Sequence, residues 1–453
     1  MTGVPTGWRN VLPHLDYDLP DDLPPQSSLS GGVKVNLPLE LLRQSRSRAG
    51  TVEIPGEVLD QYRRYRPTSL WHARDFGEAV GARVPIYVKY EGANISGSHK
   101  LNTALAQAYY YRRAGVQEVV TGTGAGQWGT AIAAACAVFG LRCTVFMVGD
   151  SLRRKPYRGT IMRLLGATVH SSPSGLTEVA AGAREGASGN SLALAIGEAV
   201  EYAATRDRTA FVIGSGETYS ILHQTVIGTE AIEQLAARHA EVDAVIGCVG
   251  AGSNFGGIAM PFFADAAEGA GPAPLLLAAE SSTTPKLTRG VYAYDRTDAT
   301  GFGPREAMYT VGSEFAIPPA HAAGLRFHGT AKLLSAMRHR DQIAATAVGQ
   351  VEAMDAARLF AVHENVVPAP ESGHALAAAA RVATSGVSDR EAHHVARRGI
   401  LVCLSGHGYL DLAAYEEHLT ERLRDESPDD DLIKLATTAL SAVPIEGGHL
   451  RVP

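Results

Sequence analysis

From Val119 onward the chain repeats one pattern: an apolar run, a glycine-rich turn, a helix-length segment without a polar face, and a further apolar run. The pieces "EVVTG", "QWGTAIAAACAVF", "RCTVFMV", "PYRGTIMRLLG" and "ATVHSS" follow one another with connections of a few residues. Strands that are apolar along their length and alternate with helices predict a parallel sheet covered on both faces, the α/β class. The pattern returns in "DAVIGCVG", "AGSNFGG", "IAMPFFADAA" and "PLLLAAES", and once more in "GILVCL", "SGHG" and "YLDLAAYEEHLTERL". Two three-layer α/β lobes with a cleft between them accommodate 453 residues better than one oversized sheet.

Composition narrows the function. A formal charge of -6, with Lys and Arg scattered along the chain, leaves no basic footprint for nucleic acid, so small-molecule work is the expectation. The start "MTGVPTGWRNVLPHL" has neither a basic segment nor an apolar core of signal-peptide type, which predicts a cytoplasmic protein. The most apolar window, residues 129–148, approaches a membrane-spanning length, but Gly140 and Arg142 divide it into helix, turn and strand, and no membrane association is expected. Cys136, Cys143, Cys248 and Cys403 sit singly in apolar runs and read as buried reduced thiols rather than metal ligands. Residues 1–50, rich in Pro, Ser and Gly, read as an arm lying on the body. The acidic run "DESPDDD" (425–431) reads as a solvated linker before a short C-terminal helix.

Two of the glycine turns are anion cradles. Glycines between a strand and a helix let the backbone approach an anion, and the helix N-terminus adds free N–H groups and partial positive charge. Gly124, Gly126 and Gly129 have the GxGxxG spacing of a dinucleotide loop, with Asp150 ending the next strand. Taken literally, that spacing describes a nicotinamide or flavin enzyme; small residues that merely let the helix pack on the sheet would look the same. The second turn, Gly250-Ala251-Gly252-Ser253-Asn254, puts three small residues before a hydroxyl and an amide, a cup suited to a phosphate ester. A third element separates the readings. In "YEGANISGSHKLNTA", Lys100 stands between a Gly/Ser turn and a segment that should be buried. A lysine carried into a cleft is held neutral enough to form a Schiff base. One aldehyde, one phosphate and one lysine describe pyridoxal phosphate (PLP).

"KYEGANISGSHKLNTALAQAYYY", "GTGAGQWGTA", "KPYRGTIMRLLGA", "HQTVIGTEA", "CVGAGSNFGG", "GLRFHG", "PAPESGHA" and "CLSGHGYLDL" resemble, in this order, the motifs of the tryptophan synthase β-chain family, most nearly its second, longer type. The resemblance spans roughly residues 60–420. It implies a fold type II PLP enzyme in which Lys100 holds the cofactor, removes the substrate α-proton and returns one. His99 is matched to the residue beside the phosphate; Gly250, Ala251, Gly252, Ser253 and Asn254 form the phosphate cup, with Ala251 where the family has glycine. Ser405 matches the hydroxyl facing the pyridine nitrogen. Because a neutral hydroxyl does not hold the ring protonated, it suits β-elimination and replacement. Asn102, Glu371 and His374 match positions around the ring, and Asp298 the acidic residue that gates the closed site. Thr123, Gly124, Ala125, Gly126, Gln127 and Trp128 match a cradle for the substrate carboxylate. The implied lobes are residues 1–65 with 100–225, including a mobile communication subdomain near 150–190, and 66–99 with 226–424; residues 425–453 form the tail. A homodimer is implied, an α-subunit partner is left open, and a monovalent cation is permitted without residues to hold it.

The match breaks at Gly122. The family has glutamate in this position, where it assists loss of the β-hydroxyl and orients indole. General acid–base assistance is commonly worth about 10²–10⁴ in rate. Three explanations follow: a better leaving group such as a phosphate ester, a nucleophile other than indole, or another carboxylate entering the site, for which Glu217 is the candidate. The expected activity is β-replacement on a serine-type amino acid through an aminoacrylate, giving tryptophan or another β-substituted amino acid. Serine or threonine deamination, the nicotinamide enzyme and a non-catalytic PLP protein are the alternatives.

Overall fold

The computed structural model describes residues 3–25, 36–183, 191–297, 301, 303–390 and 392–444. Two sheets are built from β1 (Leu70–His72), β2 (Ile86–Tyr90), β3 (Glu118–Thr123), β4 (Arg142–Val148), β5 (Thr168–Ser172), β6 (Thr209–Phe211), β7 (Ala244–Cys248), β8 (Leu275–Ser281), β9 (Ala344–Val348) and β10 (Ile400–Leu404). One sheet runs β5-β4-β3-β6 and is parallel throughout. The other runs β9-β8-β7-β10-β2-β1, parallel except for the antiparallel edge pair β1 and β2. The chain is thus an α/β protein with parallel sheets, as the apolar alternation predicts.

Six helices position the cleft: α1 (Lys100–Arg113), α2 (Gln127–Phe139), α3 (Pro156–Leu164), α4 (Leu192–Ala204), α5 (Ser253–Ala267) and α6 (Pro370–Thr384). Every residue of α2 from Gln127 to Cys136 is buried, which explains its lack of a polar face. On α4, Ala195, Ala199 and Ala203 pack on Val120 and Phe146, and their small size lets the helix lie close to β3 and β4. The Ser191 hydroxyl caps α4 by accepting from the Leu194 N–H. The N-terminal arm lies on the body, with Trp8 and Leu41 fully buried.

The tail is more engaged than a solvated linker. Asp425 accepts from the Val351 N–H at 3.0 Å, Asp429 caps the helix Asp430–Thr437, and Asp430 pairs with Arg289 at 2.6 Å. Ser441 and Ala442 then pair with Tyr294 and Ala293 of an antiparallel ribbon. All four cysteines are buried and unpaired. Among the described residues no helix is long and apolar enough to cross a membrane.

Candidate active site

In an open parallel sheet, strand ends and helix starts converge at the carboxyl edge. Here β3, β7 and β10 all end at one cleft, with about 1040 Å³ of empty space including its open mouth. Lys100, the first residue of α1, projects into it. The turn before Lys100 is folded by Asn94, which accepts from the Ser96 N–H and donates to the Glu91 and Ser98 carbonyls. Gly97 has φ +69°, and a Cβ there would run into the His407 ring at 2.3 Å. The His99 N–H then donates to the Ser405 carbonyl at 2.9 Å, fixing the start of α1 to the end of β10.

The Lys100 amine has no hydrogen-bond or ion-pair partner among the described residues. Burial presses its pKa down, opposed first by the Glu371 carboxylate. The neutral amine, the form that attacks a carbonyl carbon, is thereby favoured. His99 is neutral as well, its pKa pushed down to about 3 by burial and the neighbouring Lys100. Its Nδ1 faces the Ser405 carbonyl (3.2 Å), which can only accept, so Nδ1 carries the proton and Nε2 accepts from the Ser253 hydroxyl (3.3 Å).

Gly126, at φ +90°, caps α2, and Gly252, at φ +117°, caps α5, so both helices point their free N–H groups at the cleft. A Cβ on Gly250 would lie 2.0 Å from the Gly324 carbonyl oxygen. Ala251, by contrast, lines the cleft as an ordinary buried residue and is accommodated. Ser405 Oγ lies 3.0 Å from Ser372 Oγ and 3.5 Å from Cys248 Sγ. Ser372 Oγ accepts from the Ser405 N–H (3.0 Å), and where Ser372 and Cys248 both donate to Ser405 Oγ, the Ser405 O–H is free to donate into the cleft. Glu371 accepts from the Gly324 N–H (2.9 Å) and from Gln127 (3.4 Å), tying the two sides together. A half-buried lysine without a partner, two helix N-termini and a hydroxyl fit a ligand carrying one aldehyde, one phosphate and one ring nitrogen.

Most residues expected from sequence line this cleft: Lys100 with His99, Thr123–Ala125 with Gln127 and Trp128, Gly250–Asn254, Glu371 and Ser405. Four differ. Gly126 is not among the lining residues, and a Cβ added there would meet the Arg158 and Met147 side chains at 3.0 and 3.1 Å. Asn102 is fully buried below the cleft: it accepts from Arg66 and Tyr65 and donates to Glu91 and Gln224. It belongs to a network with Arg66, Glu91, Glu230 and Lys89, whose side chains are solvent-free. The Asn254 amide turns away from the cup to donate to the Cys248 carbonyl (3.3 Å) and accept from Cys403 (3.2 Å), leaving only its backbone for an anion. His374 is buried behind the site with Nδ1 on the Pro370 carbonyl. Asp298 lies outside the described residues.

Gly122 is in the cleft wall, but its position is not a hole awaiting an acid. A Cβ there would meet the α4 backbone, 2.5 Å from Ile196 N and 2.6 Å from Ala195 O. Glu217 does not line the cleft. It lines an adjoining chamber with Glu306 and Lys332, and Ile196 and Ile213 form walls of both. Sequence reasoning missed Arg326, which is among the residues lining the cleft. Nη2 donates to the Ile317 carbonyl at 2.9 Å and Nε has no partner. Its motif "GLRFHG" stands out in the sequence, but nothing local says that the arginine faces the cleft.

This fold and lysine-centred cleft define a PLP-dependent enzyme, and residues 62–424 match the family model described as "Pyridoxal-phosphate dependent enzyme". Within that class the chain belongs to the tryptophan synthase β-chain family. It is 43% identical over 435 residues to "Tryptophan synthase beta chain 2" of Thermococcus kodakarensis (94% of this chain, 96% of the relative). It is 44% identical over 431 residues to "Tryptophan synthase beta chain" of Pyrobaculum islandicum (93% and 99%). The processed form of threonine deaminase isoform 2 from Solanum lycopersicum shares the fold: TM-score 0.60 at 17% identity, covering 89% of this chain and 99% of that one.

Proposed function

We propose that the protein catalyses β-replacement on a serine-type amino acid whose β-oxygen carries an anionic leaving group, a phosphate ester being the class that suits the cleft, and joins the residue to indole or a similar nucleophile. The observation that carries this reading is a pairing within one cleft: Gly122 brings no side chain to protonate a leaving hydroxyl, and an arginine, Arg326, lines the same cleft as a partner for a leaving anion. An Arg pairs readily with phosphate oxygens, and an ester needs no proton to depart. Arg326 Nη2 donates to the Ile317 carbonyl and its buried Nε–H has no partner. The relatives' names support an amino-acid substrate and an indole-type nucleophile. We read the chain as a cytoplasmic homodimer, with an α-type subunit as a partner to be sought by co-purification.

Bound PLP supplies an electron sink for negative charge at the substrate Cα. Lys100 would hold the cofactor through its aldehyde, and its amine is placed to take the Cα proton and return one. The N–H groups opening α5 would hold the phosphate, with Ser253 and neutral His99 beside it. Ser405 would face the ring nitrogen. The N–H groups at Gly124–Gln127 bind the substrate carboxylate, and Glu371 keeps Gln127 and the Gly324 loop together. Leu192, Ile196 and Ile213 give the nucleophile an apolar wall. Ion pairs from Lys155 and Arg158 to Asp411 draw the α3 region onto the loop after β10 and exclude water.

The test is turnover of O-phosphoserine, serine and threonine, each with and without indole, with products identified by mass. A charge-assisted hydrogen bond contributes about 1.5–3 kcal/mol, so kcat/KM for O-phosphoserine should exceed that for serine by about 10- to 100-fold. Arg326→Gln should reduce the O-phosphoserine value more than the serine value. Equal use of both substrates would sink the leaving-group assignment. Oxo acid released with indole left unincorporated would make the protein a deaminase.

A further inference from the structure

Lys286 is fully buried, yet the cleft chemistry gives it no task. It opens the short helix Lys286–Arg289 directly after β8. A buried lysine ordinarily faces a carboxylate, as Lys89 faces Glu230 at 2.8 Å. Lys286 has no carboxylate within ion-pair distance among the described residues. The charge that most supports it is Glu280. That carboxylate, however, accepts from the Leu287 N–H (2.8 Å), the Thr288 N–H (2.9 Å) and the Thr288 hydroxyl (2.6 Å). The Lys286 ammonium instead donates to the Val249 carbonyl at 3.3 Å.

Val249 is the residue before Gly250, so the peptide whose oxygen meets Lys286 has the Gly250 N–H at its other end. Gly250 lines the cleft and opens the cradle. Val249 itself is locked to β8, its N–H donating to the Ala279 carbonyl at 2.8 Å. A cation on the oxygen of a peptide polarises it and strengthens its N–H as a donor. The same charge attracts an anion held on the far side. Lys286 also acts electrostatically on buried His328, two residues after Arg326, so it lies between the end of β7 and the segment that carries Arg326. A compact ammonium with a carbonyl ligand is what a bound potassium or ammonium ion would offer here, except that it cannot dissociate.

We infer that Lys286 is a tethered monovalent cation: its ammonium sits behind the Val249–Gly250 peptide, holds the cradle in shape for a phosphate dianion, and makes the protein independent of free monovalent ions. This rests on the reading of Gly250–Asn254 as the phosphate cradle. Lys286 touches no reacting atom and is a positioning residue.

The experiment uses the PLP-loaded full chain. PLP dissociation is followed by absorbance, and Tm by calorimetry, in choline, potassium, caesium and ammonium chlorides at one ionic strength. Wild type should give the same values in all four salts. Lys286→Ala, which opens a space of ammonium size, should release PLP about tenfold or more readily in choline chloride and recover in potassium or ammonium chloride. Lys286→Met, which fills the space without charge, should lose PLP and not recover. The inference is overturned if wild type itself depends on potassium, if Lys286→Ala holds PLP as wild type does in choline chloride, or if no cation restores it, the mark of a packing role. Should the variants fail to fold, the salt independence of wild type still decides. If wild type binds no PLP, the cradle reading has failed instead.

Discussion

Gly122→Ala adds a single methyl group at a place where the sequence alone suggests spare room. The structure says otherwise. The new Cβ would stand 2.5 Å from Ile196 N and 2.6 Å from Ala195 C and O, where ordinary contact begins near 3.4 Å. These are backbone atoms in the first two turns of α4, so no rotamer change relieves the overlap. The helix must retreat by nearly an ångström or the strand must bend. Over-packing of this kind costs about 1–3 kcal/mol. With an unfolding entropy near 2.1 cal/mol/K per residue, a chain of this length loses about 1–3 °C in Tm. Gly124→Ala is the control, because its Cβ would find only the Leu192 methyls at 4.0 Å. Calorimetry on wild type and both variants measures the difference. Gly122→Glu should be worse than alanine in stability and should not improve turnover of serine with indole. The carboxylate can enter only by displacing α4, which carries the Leu192 and Ile196 walls of the cleft. If Gly122→Ala melts with wild type, or if Gly122→Glu raises serine turnover, the close approach of α4 is not what excludes an acid.

Other consequences are open to direct measurement. Borohydride treatment of the PLP-loaded protein should fix the label on the peptide containing Lys100, and a label on Lys89 or Lys286 would contradict its assignment. Asp411→Asn leaves Lys155 and Arg158 facing a neutral group in a nearly solvent-free site; losing one partner of such a cluster costs about 3–5 kcal/mol. The expected readouts are faster amide exchange in Pro156–Leu164 and more oxo acid by-product as water enters. Glu306, beside Glu217 in the adjoining chamber, has its pKa raised to about 8 by burial and the neighbouring carboxylates. An acid whose pKa is raised on folding opposes folding once the unfolded chain ionises it, so its cost grows from about pH 4.5 and levels off above about pH 8. Glu306→Gln should therefore match wild type in Tm at pH 4.5 and exceed it increasingly up to pH 8; a constant difference would place Glu306 in solvent.

What the sequence disclosed and what it withheld divide along physical lines. The parallel α/β class, the two glycine-capped helix starts and the place of Lys100 in the cleft are written in local chemistry: continuous apolar strands, glycines at helix starts, and a lysine opening a buried helix. Strand order is not local. β10 comes last in the chain yet lies between β7 and β2, and the register of Ile400 against both Ala244 and Ile86 is set by packing that no short motif records. The site shows the same division. Asn254 reads as a phosphate ligand from its place at a helix start, but its amide is claimed by Cys248 and by Cys403 on β10. Asn102 matches a family position around the ring, but two residues along the helix from Lys100 it is turned into the Arg66–Glu91 network. Gly122 shows the limit most plainly. Sequence identifies a missing carboxylate; only the position of α4 shows that the gap is filled by backbone, which moves the question from what replaces the acid to what substrate does without one. Arg326 lines the same cleft, and its nearness to Gly122 exists only in the folded chain.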